Sequence, residues 1–119
     1  MIDVLLVDDE ASFLRDLAEG LRISHPGVQV FTAQSGEKAI QFMKTALFDV
    51  VVTDLNMPGT NGFDLLRKIR ELYPHVPVIV MSAYTRSYVE ERLKGIRLAS
   101  YIEKPLDLDE FVNAVLAAS

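Results

Sequence analysis

Five side chains in this sequence have the types, and the positions relative to apolar runs, to build one reactive pocket. Asp8 and Asp9 follow Val4-Leu5-Leu6-Val7, and Asp54 closes the run Val50-Val51-Val52-Thr53. Ser82 follows Val78-Ile79-Val80-Met81, and Lys104 stands two residues after Tyr101-Ile102. A carboxylate at the end of an apolar strand costs free energy unless something there pairs with it. Three in one cleft also repel: a pair ~4 Å apart costs about 4 kcal/mol at an effective dielectric near 20. Lys104 offsets part of this, and a dication would offset the rest. Hard oxygen ligands without histidine or cysteine suit Mg²⁺, which keeps several waters and accepts one or two carboxylates plus a phosphate oxygen. The set reads as a pocket for a cation and a phosphoryl group together.

Each residue taken alone has a plainer role. Asp8, Asp9 and Glu10 precede a helix, where acids favour the N-terminal dipole. Asp54 can open the turn through Leu55–Gly59. Ser82 can be a loop hydroxyl, Lys104 a solvated lysine and Tyr101 a partly buried strand aromatic. Their joint occurrence, each at the carboxyl end of an apolar run, favours the chemical reading.

The elements that must position them are short. Strands are predicted at Val4–Val7, Val28–Phe31, Val50–Val52, Val76–Met81 and Tyr101–Ile102. Between them lie helical faces: Phe13, Leu14, Leu17, Ala18 and Leu21; Ala39, Ile40, Met43 and Leu47; Leu65, Leu66, Ile69 and Leu72; and Leu108, Phe111, Val112, Val115 and Leu116. The segment Arg86 to Gly95 is a weaker helix, with Tyr88, Val89 and Leu93 apolar. Turns fall at His25-Pro26-Gly27, Met57-Pro58-Gly59 and Tyr73-Pro74. Ser35 is placed to cap the second helix, and Asp107 with Glu110 resembles a capping box for the last. Five β–α alternations imply a parallel sheet covered by helices on both faces, and ligands of such sheets bind at the carboxyl ends of the strands.

The totals exclude several function classes. At 119 residues the chain is expected to be one domain, 1–119. A net charge of −5 argues against nucleic acid or an anionic membrane as a direct partner. With no cysteine there is neither a disulfide nor a thiolate site. No apolar run approaches the length of a signal peptide core or a membrane span, so a soluble, cytoplasmic protein is expected.

The pieces VDDE (7–10), TDLNMPGTNGFDLL (53–66), VIVMSA (78–83) and SYIEKPLD (100–107), in this order and spacing, resemble a response-regulator receiver domain, the phosphoacceptor half of two-component signalling. The resemblance spans the whole chain. It implies a flavodoxin-like (βα)₅ fold, doubly wound, with strand order 2-1-3-4-5. It implies that Asp54 accepts a phosphoryl group from the phosphohistidine of a sensor histidine kinase or a histidine phosphotransfer protein. Asp8, Asp9, Asp54 and the backbone carbonyl of Asn56 would hold Mg²⁺. Lys104 and Ser82 would contact the phosphoryl oxygens, and Tyr101 would be the switch aromatic, moving inward as Ser82 is drawn to the phosphate. Pro105 would follow a cis peptide bond, while Asn56 and Tyr84 would tune phosphate lifetime. Such a domain phosphorylates and dephosphorylates itself and is not a turnover enzyme. Its output passes through the fourth helix, fifth strand and fifth helix, to a homodimer partner or an appended output domain. The chain departs from the family where many receivers carry Gly-Ala before the switch aromatic; here the residues are Arg97 and Leu98.

Three alternatives follow from the same residues. A flavodoxin-like nucleotide binder would need a glycine- and hydroxyl-rich loop where Asp8-Asp9-Glu10 stands, and neither GxGxxG nor GxxxxGK[ST] occurs. A dehalogenase-like phosphatase would carry a second aspartate two residues after Asp54, where this chain has Asn56. A receiver-fold scaffold acting by protein contact alone, without phosphorylation, remains the main competitor.

Overall fold

The computed structural model describes residues 1–57 and 60–119. Five strands, β1 (Ile2–Val7), β2 (Val28–Ala33), β3 (Val50–Asp54), β4 (Val78–Ser82) and β5 (Ser100–Glu103), form one parallel sheet in the order β2-β1-β3-β4-β5. The helices are α1 (Ala11–Ser24), α2 (Gly36–Thr45), α3 (Gly62–Leu72), α4 (Arg86–Arg92) and α5 (Leu108–Ala118). The topology is the doubly wound one expected.

The uniformly apolar strands are explained by two cores. Leu5, Val7, Val51, Val78 and Val80 face the layer of α2, α3 and α4. Val4, Leu6, Val50, Val52, Ile79 and Met81 face the layer of α1 and α5. Alternate side chains of a strand point to opposite faces, so burial on both demands an apolar residue at every position. All five residues of β3, and all five of β4, are buried.

The helix starts follow local chemistry. Ser35 Oγ accepts from the Lys38 N–H at 3.2 Å, the Thr85 side chain accepts from the Tyr88 N–H, and Asp107 Oδ1 accepts from the N–H groups of Asp109 and Glu110. Each replaces a missing intrahelical partner.

Several boundaries and faces differ from the periodicity. β3 runs on to Asp54, so the carboxylate belongs to the strand itself. β4 begins at Val78 rather than Val76. The α2 helix ends before Leu47, which is 91% exposed instead of core-facing, and Leu72 and Leu108, at the last and first positions of their helices, are also exposed. Terminal residues of an amphipathic stripe overhang the sheet. The α4 helix stops at Arg92 instead of reaching Gly95, which takes a φ of 82°. Within α4 only Val89 is buried; Tyr88 is exposed, and Leu93, just past the helix, is buried. The connection through Arg97 and Leu98 is tied down from α3, where the Arg70 guanidinium donates to the Arg97 carbonyl at 3.0 Å. The turn expected at Met57-Pro58-Gly59 includes Pro58 and Gly59, which lie outside the described residues.

One glycine sets the approach of α3 to the loop after β3. A Cβ on Gly62 would lie 2.5 Å from the Leu55 Cα and carbonyl oxygen. Those are backbone atoms, one residue from Asp54, and they can yield only if the loop shifts. Gly62→Ala is therefore expected to destabilise by about 1–3 kcal/mol. Urea unfolding measures this, and a change under about 0.5 kcal/mol would mean the loop adjusts freely.

Candidate functional site

The register of the sheet brings the polar residues to one level. Val7 pairs with Thr53, Thr53 with Val80, and Ser82 with Glu103. The next residues of β1 and β5, Asp8 and Lys104, and the last residues of β3 and β4, Asp54 and Ser82, therefore meet at the carboxyl edge. Backbone bonds extend the alignment past the strands: Asp8 N–H donates to the Ala33 carbonyl and Lys104 N–H to the Ser82 carbonyl.

Asp8, Asp54 and Ser82 are buried polar side chains, fully or nearly so. Lys104 holds the two carboxylates together, its Nζ 3.2 Å from Asp8 Oδ2 and 3.0 Å from Asp54 Oδ2. The other oxygen of each carboxylate accepts a backbone N–H: Glu10 to Asp8 Oδ1 and Asn56 to Asp54 Oδ1, both at 3.0 Å. Asp9 is partly exposed beside them, and one carboxylate oxygen from each of Asp8, Asp9 and Asp54 lies within 4.8 Å of the others. Such a set of oxygens matches the ligands of a hard dication.

The charges explain the proton affinities. Burial pushes the Asp8 carboxyl up to about 6, and the nearby Asp54 charge adds to the shift. The Glu10 N–H and the Lys104 ammonium oppose it. For Lys104, burial acts to lower the pKa, but the bond to Asp54 and the charges of Asp54 and Asp8 outweigh it, and the net shift is upward. The lysine is a fixed positive charge here.

A second network lies alongside. Ser82 Oγ donates to Asn56 Oδ1 at 3.2 Å and accepts from the Tyr84 N–H at 2.9 Å. Asn56 Oδ1 also accepts from the Ala83 N–H. Tyr101 is buried, its hydroxyl donating to the Tyr84 carbonyl. The Tyr84 side chain is exposed, and its ring stands against Tyr88 at a centroid distance of 4.8 Å and Phe63 at 6.2 Å. The Lys104–Pro105 peptide bond is cis.

Sequence reasoning selected every member of the carboxylate–lysine set but missed two contacts. The Asn56 side chain, as opposed to its backbone carbonyl, links the loop after β3 to Ser82. Phe13, read only as a core-facing helix position, lies with its ring centroid 4.6 Å from Lys104 Nζ. A phenylalanine one turn after an acidic pair was the available signal for the second contact.

A doubly wound parallel sheet with an acidic, lysine-bridged pocket at its carboxyl edge defines a class of phosphoryl- or cation-binding domain. Comparison with known proteins narrows it. Residues 4–116 match the response regulator receiver domain family, and the chain belongs to that family. It is 38% identical over 116 residues to the transcriptional regulatory protein PrrA of Mycobacterium tuberculosis, covering 96% of this chain and 48% of PrrA. The chain thus spans about half the length of that relative. Among solved structures, a chemotaxis response regulator of Vibrio cholerae superposes with a TM-score of 0.90 at 26% identity, covering 100% of this chain and 99% of that one. The response regulator TrrA of Thermotoga maritima, solved in complex with Mg²⁺-BeF, gives 0.82 at 27% identity with full coverage of both chains.

The raised Asp8 pKa makes a prediction about stability without divalent cations. Between the unfolded value near 3.8 and the folded value of about 6, the native state holds a proton that the unfolded chain has lost. Stability is thus fully present below the lower value and falls as pH rises through the upper one. Asp8→Asn removes this dependence, so its stability advantage over the wild type should grow from pH 4 to 6 and then level off. The plateau should be on the order of 2–3 kcal/mol. Urea unfolding across pH checks it, and a pH-independent difference would overturn the assignment.

Proposed function

We propose that this domain is a phosphorylation-driven switch in which Asp54 accepts a phosphoryl group from the phosphohistidine of a sensor histidine kinase or a histidine phosphotransfer protein. The convergence of the buried Asp54 and Asp8 carboxylates on Lys104 carries the reading. It supplies a carboxylate nucleophile held in place and a fixed cation beside it.

The bond made is P–O to the Asp54 carboxylate and the bond broken is P–N of the donor, whose imidazole nitrogen keeps the electron pair and takes up a proton. The Asn56 N–H holds one Asp54 oxygen and so fixes the plane of the carboxylate. Lys104, already at Asp54 Oδ2, is positioned to bind the incoming phosphoryl oxygens. Asp8, Asp9, Asp54 and the Asn56 backbone carbonyl would hold Mg²⁺, which supplies charge neutralisation for the transferring phosphoryl group. The residues fit that ion: the ionised set of three carboxylates and one ammonium lacks positive charge, and their oxygens lie close enough together to share one cation.

After transfer, Ser82 is placed to exchange its bond to Asn56 for one to the phosphoryl group. That exchange acts on Tyr84, and through its carbonyl on Tyr101, biasing the face of α4, β5 and α5. Hydrolysis of the aspartyl phosphate returns the carboxylate, so the domain acts on itself rather than turning over an external substrate. The output is a protein contact, to a second copy or an output domain in the same polypeptide. No helix among the described residues is long and apolar enough to cross a membrane.

Intact mass after incubation with a small acyl-phosphate donor should show one added phosphoryl group that requires Mg²⁺ and is lost in Asp54→Asn. Lys104→Ala should slow the gain by about 10²–10³-fold, the usual effect of removing one preorganised donor. No gain in folded wild type would favour the scaffold reading. Mg²⁺ affinity should weaken about tenfold for each pH unit below about 6, as Asp8 takes up its proton. An affinity flat from pH 5 to 7 would remove Asp8 from the ligand set.

A further inference from the structure

Lys104 makes one contact that the phosphoacceptor reading does not use. Its ammonium sits over the face of the Phe13 ring, 4.6 Å from the centroid, while it donates to Asp8 and Asp54. The Lys104 side chain is 23% exposed. Phe13 belongs to the first turn of α1, four residues after Asp9, and its body packs against the core beneath α1 and α5. The ring is held by a rigid element, not by a loop.

We propose that Phe13 is a positioning residue for Lys104: its π face fixes where the ammonium stands during phosphoryl transfer to Asp54. This rests on the phosphoacceptor reading above. The physical need is specific. A lysine carries its charge on a flexible four-carbon stem and loses much rotamer entropy when held in one geometry. Two carboxylates on one side of the ammonium draw it down into the pocket. An incoming phosphoryl group requires the same ammonium to turn outward toward new oxygens. The face of an aromatic ring attracts a cation through its quadrupole without demanding a hydrogen-bond direction. On that face Lys104 can exchange carboxylate oxygens for phosphoryl oxygens while one of its contacts persists. The ring also covers a side of the ammonium from which water would otherwise solvate it, and a desolvated cation–π pair is the stronger kind.

The test replaces Phe13 by its mono-, di- and trifluorinated analogues, which weaken the π face in steps with little change of shape, and by leucine and tryptophan. Two quantities are read on the intact chain. One is the rate of Mg²⁺-dependent phosphorylation by acetyl phosphate; the other is the ring-current shift of the Lys104 Cε and Nζ resonances by NMR. The rate should fall progressively with fluorination, to about 5–30-fold below wild type for Phe13→Leu, and Phe13→Trp should keep the wild-type rate or exceed it. The Lys104 resonances should lose their ring shift in Phe13→Leu. Thermal melts by circular dichroism accompany each variant, since the fluorinated series should fold like wild type even if Phe13→Leu does not. If wild type is phosphorylated but the fluorinated series is flat, Phe13 only fills space and the proposal fails. If wild type takes up no phosphoryl group, the phosphoacceptor reading fails first and the positioning role falls with it.

Discussion

The structure turns on two buried carboxylates that share one ammonium. Asp8 and Asp54 come from neighbouring strands, and Lys104 arrives from a third, 96 and 50 residues away in sequence. Removing charges from water costs several kcal/mol per ion, and the mutual attraction returns that only with good geometry. Here the geometry is good but the charge does not balance, for the lysine meets two buried acids with a third, Asp9, at the rim. Stability alone does not explain such a set. Well-packed apolar residues at these strand ends would serve the fold at least as well. The imbalance makes sense as a poised state, in which the site has an unmet demand for positive charge.

The hydroxyl beside this pocket is already committed. Ser82 has a single proton, and it is spent on Asn56. Any new acceptor near Asp54 must compete for it, so a change at the carboxylate is felt as an exchange of partners rather than as a new bond. Exchange is energetically shallow, because a buried donor trades one acceptor for another and is never left unpaired. The Tyr84 backbone touches both sides of this arrangement, giving its N–H to Ser82 and its carbonyl to Tyr101. Its ring continues outward through Tyr88, whose hydroxyl accepts from the Arg92 guanidinium at 2.9 Å. A path of contacts thus runs from the strand ends to the surface of α4.

The legibility of the sequence followed the range of the forces involved. Strand positions and the two-core architecture were readable because burial on both faces leaves an uninterrupted apolar run, as in Val50-Val51-Val52. Site residues were readable because several polar groups recur together, each at the carboxyl end of such a run, although each alone has a plainer role. Element ends were less so: Leu47, Leu72 and Leu108 continue the helical period but lie where the helix has stopped or left the sheet. Periodicity reports a direction and not what lies in that direction. The same limit hid the pairing of Phe13 with Lys104. That pairing depends on where the first turn of α1 sits relative to the end of β5, and the spacing of Phe13 from the acidic pair marks only one side of it. The Asn56 side chain was missed because its partners, Ser82 and Ala83, lie across the sheet edge.

The plain and the chemical readings of the acidic residues turn out not to compete. Asp54 opens the loop after β3, as a turn-forming aspartate does, by accepting the Asn56 N–H on Oδ1. Asp8 does the same for Glu10 at the start of α1. In each case the local bond takes one oxygen and fixes the carboxylate plane, which leaves the second oxygen directed at Lys104. An aspartate with no such turn would have to be oriented by packing alone, and its two oxygens would be interchangeable. The backbone N–H groups remove that freedom before any ligand arrives. Preorganisation of this kind costs nothing at the moment of reaction, because folding has already made the bonds. The turn is therefore part of what orients the site, and the short Asp–x–N–H spacing that first reads as mere loop chemistry is what aims both carboxylates.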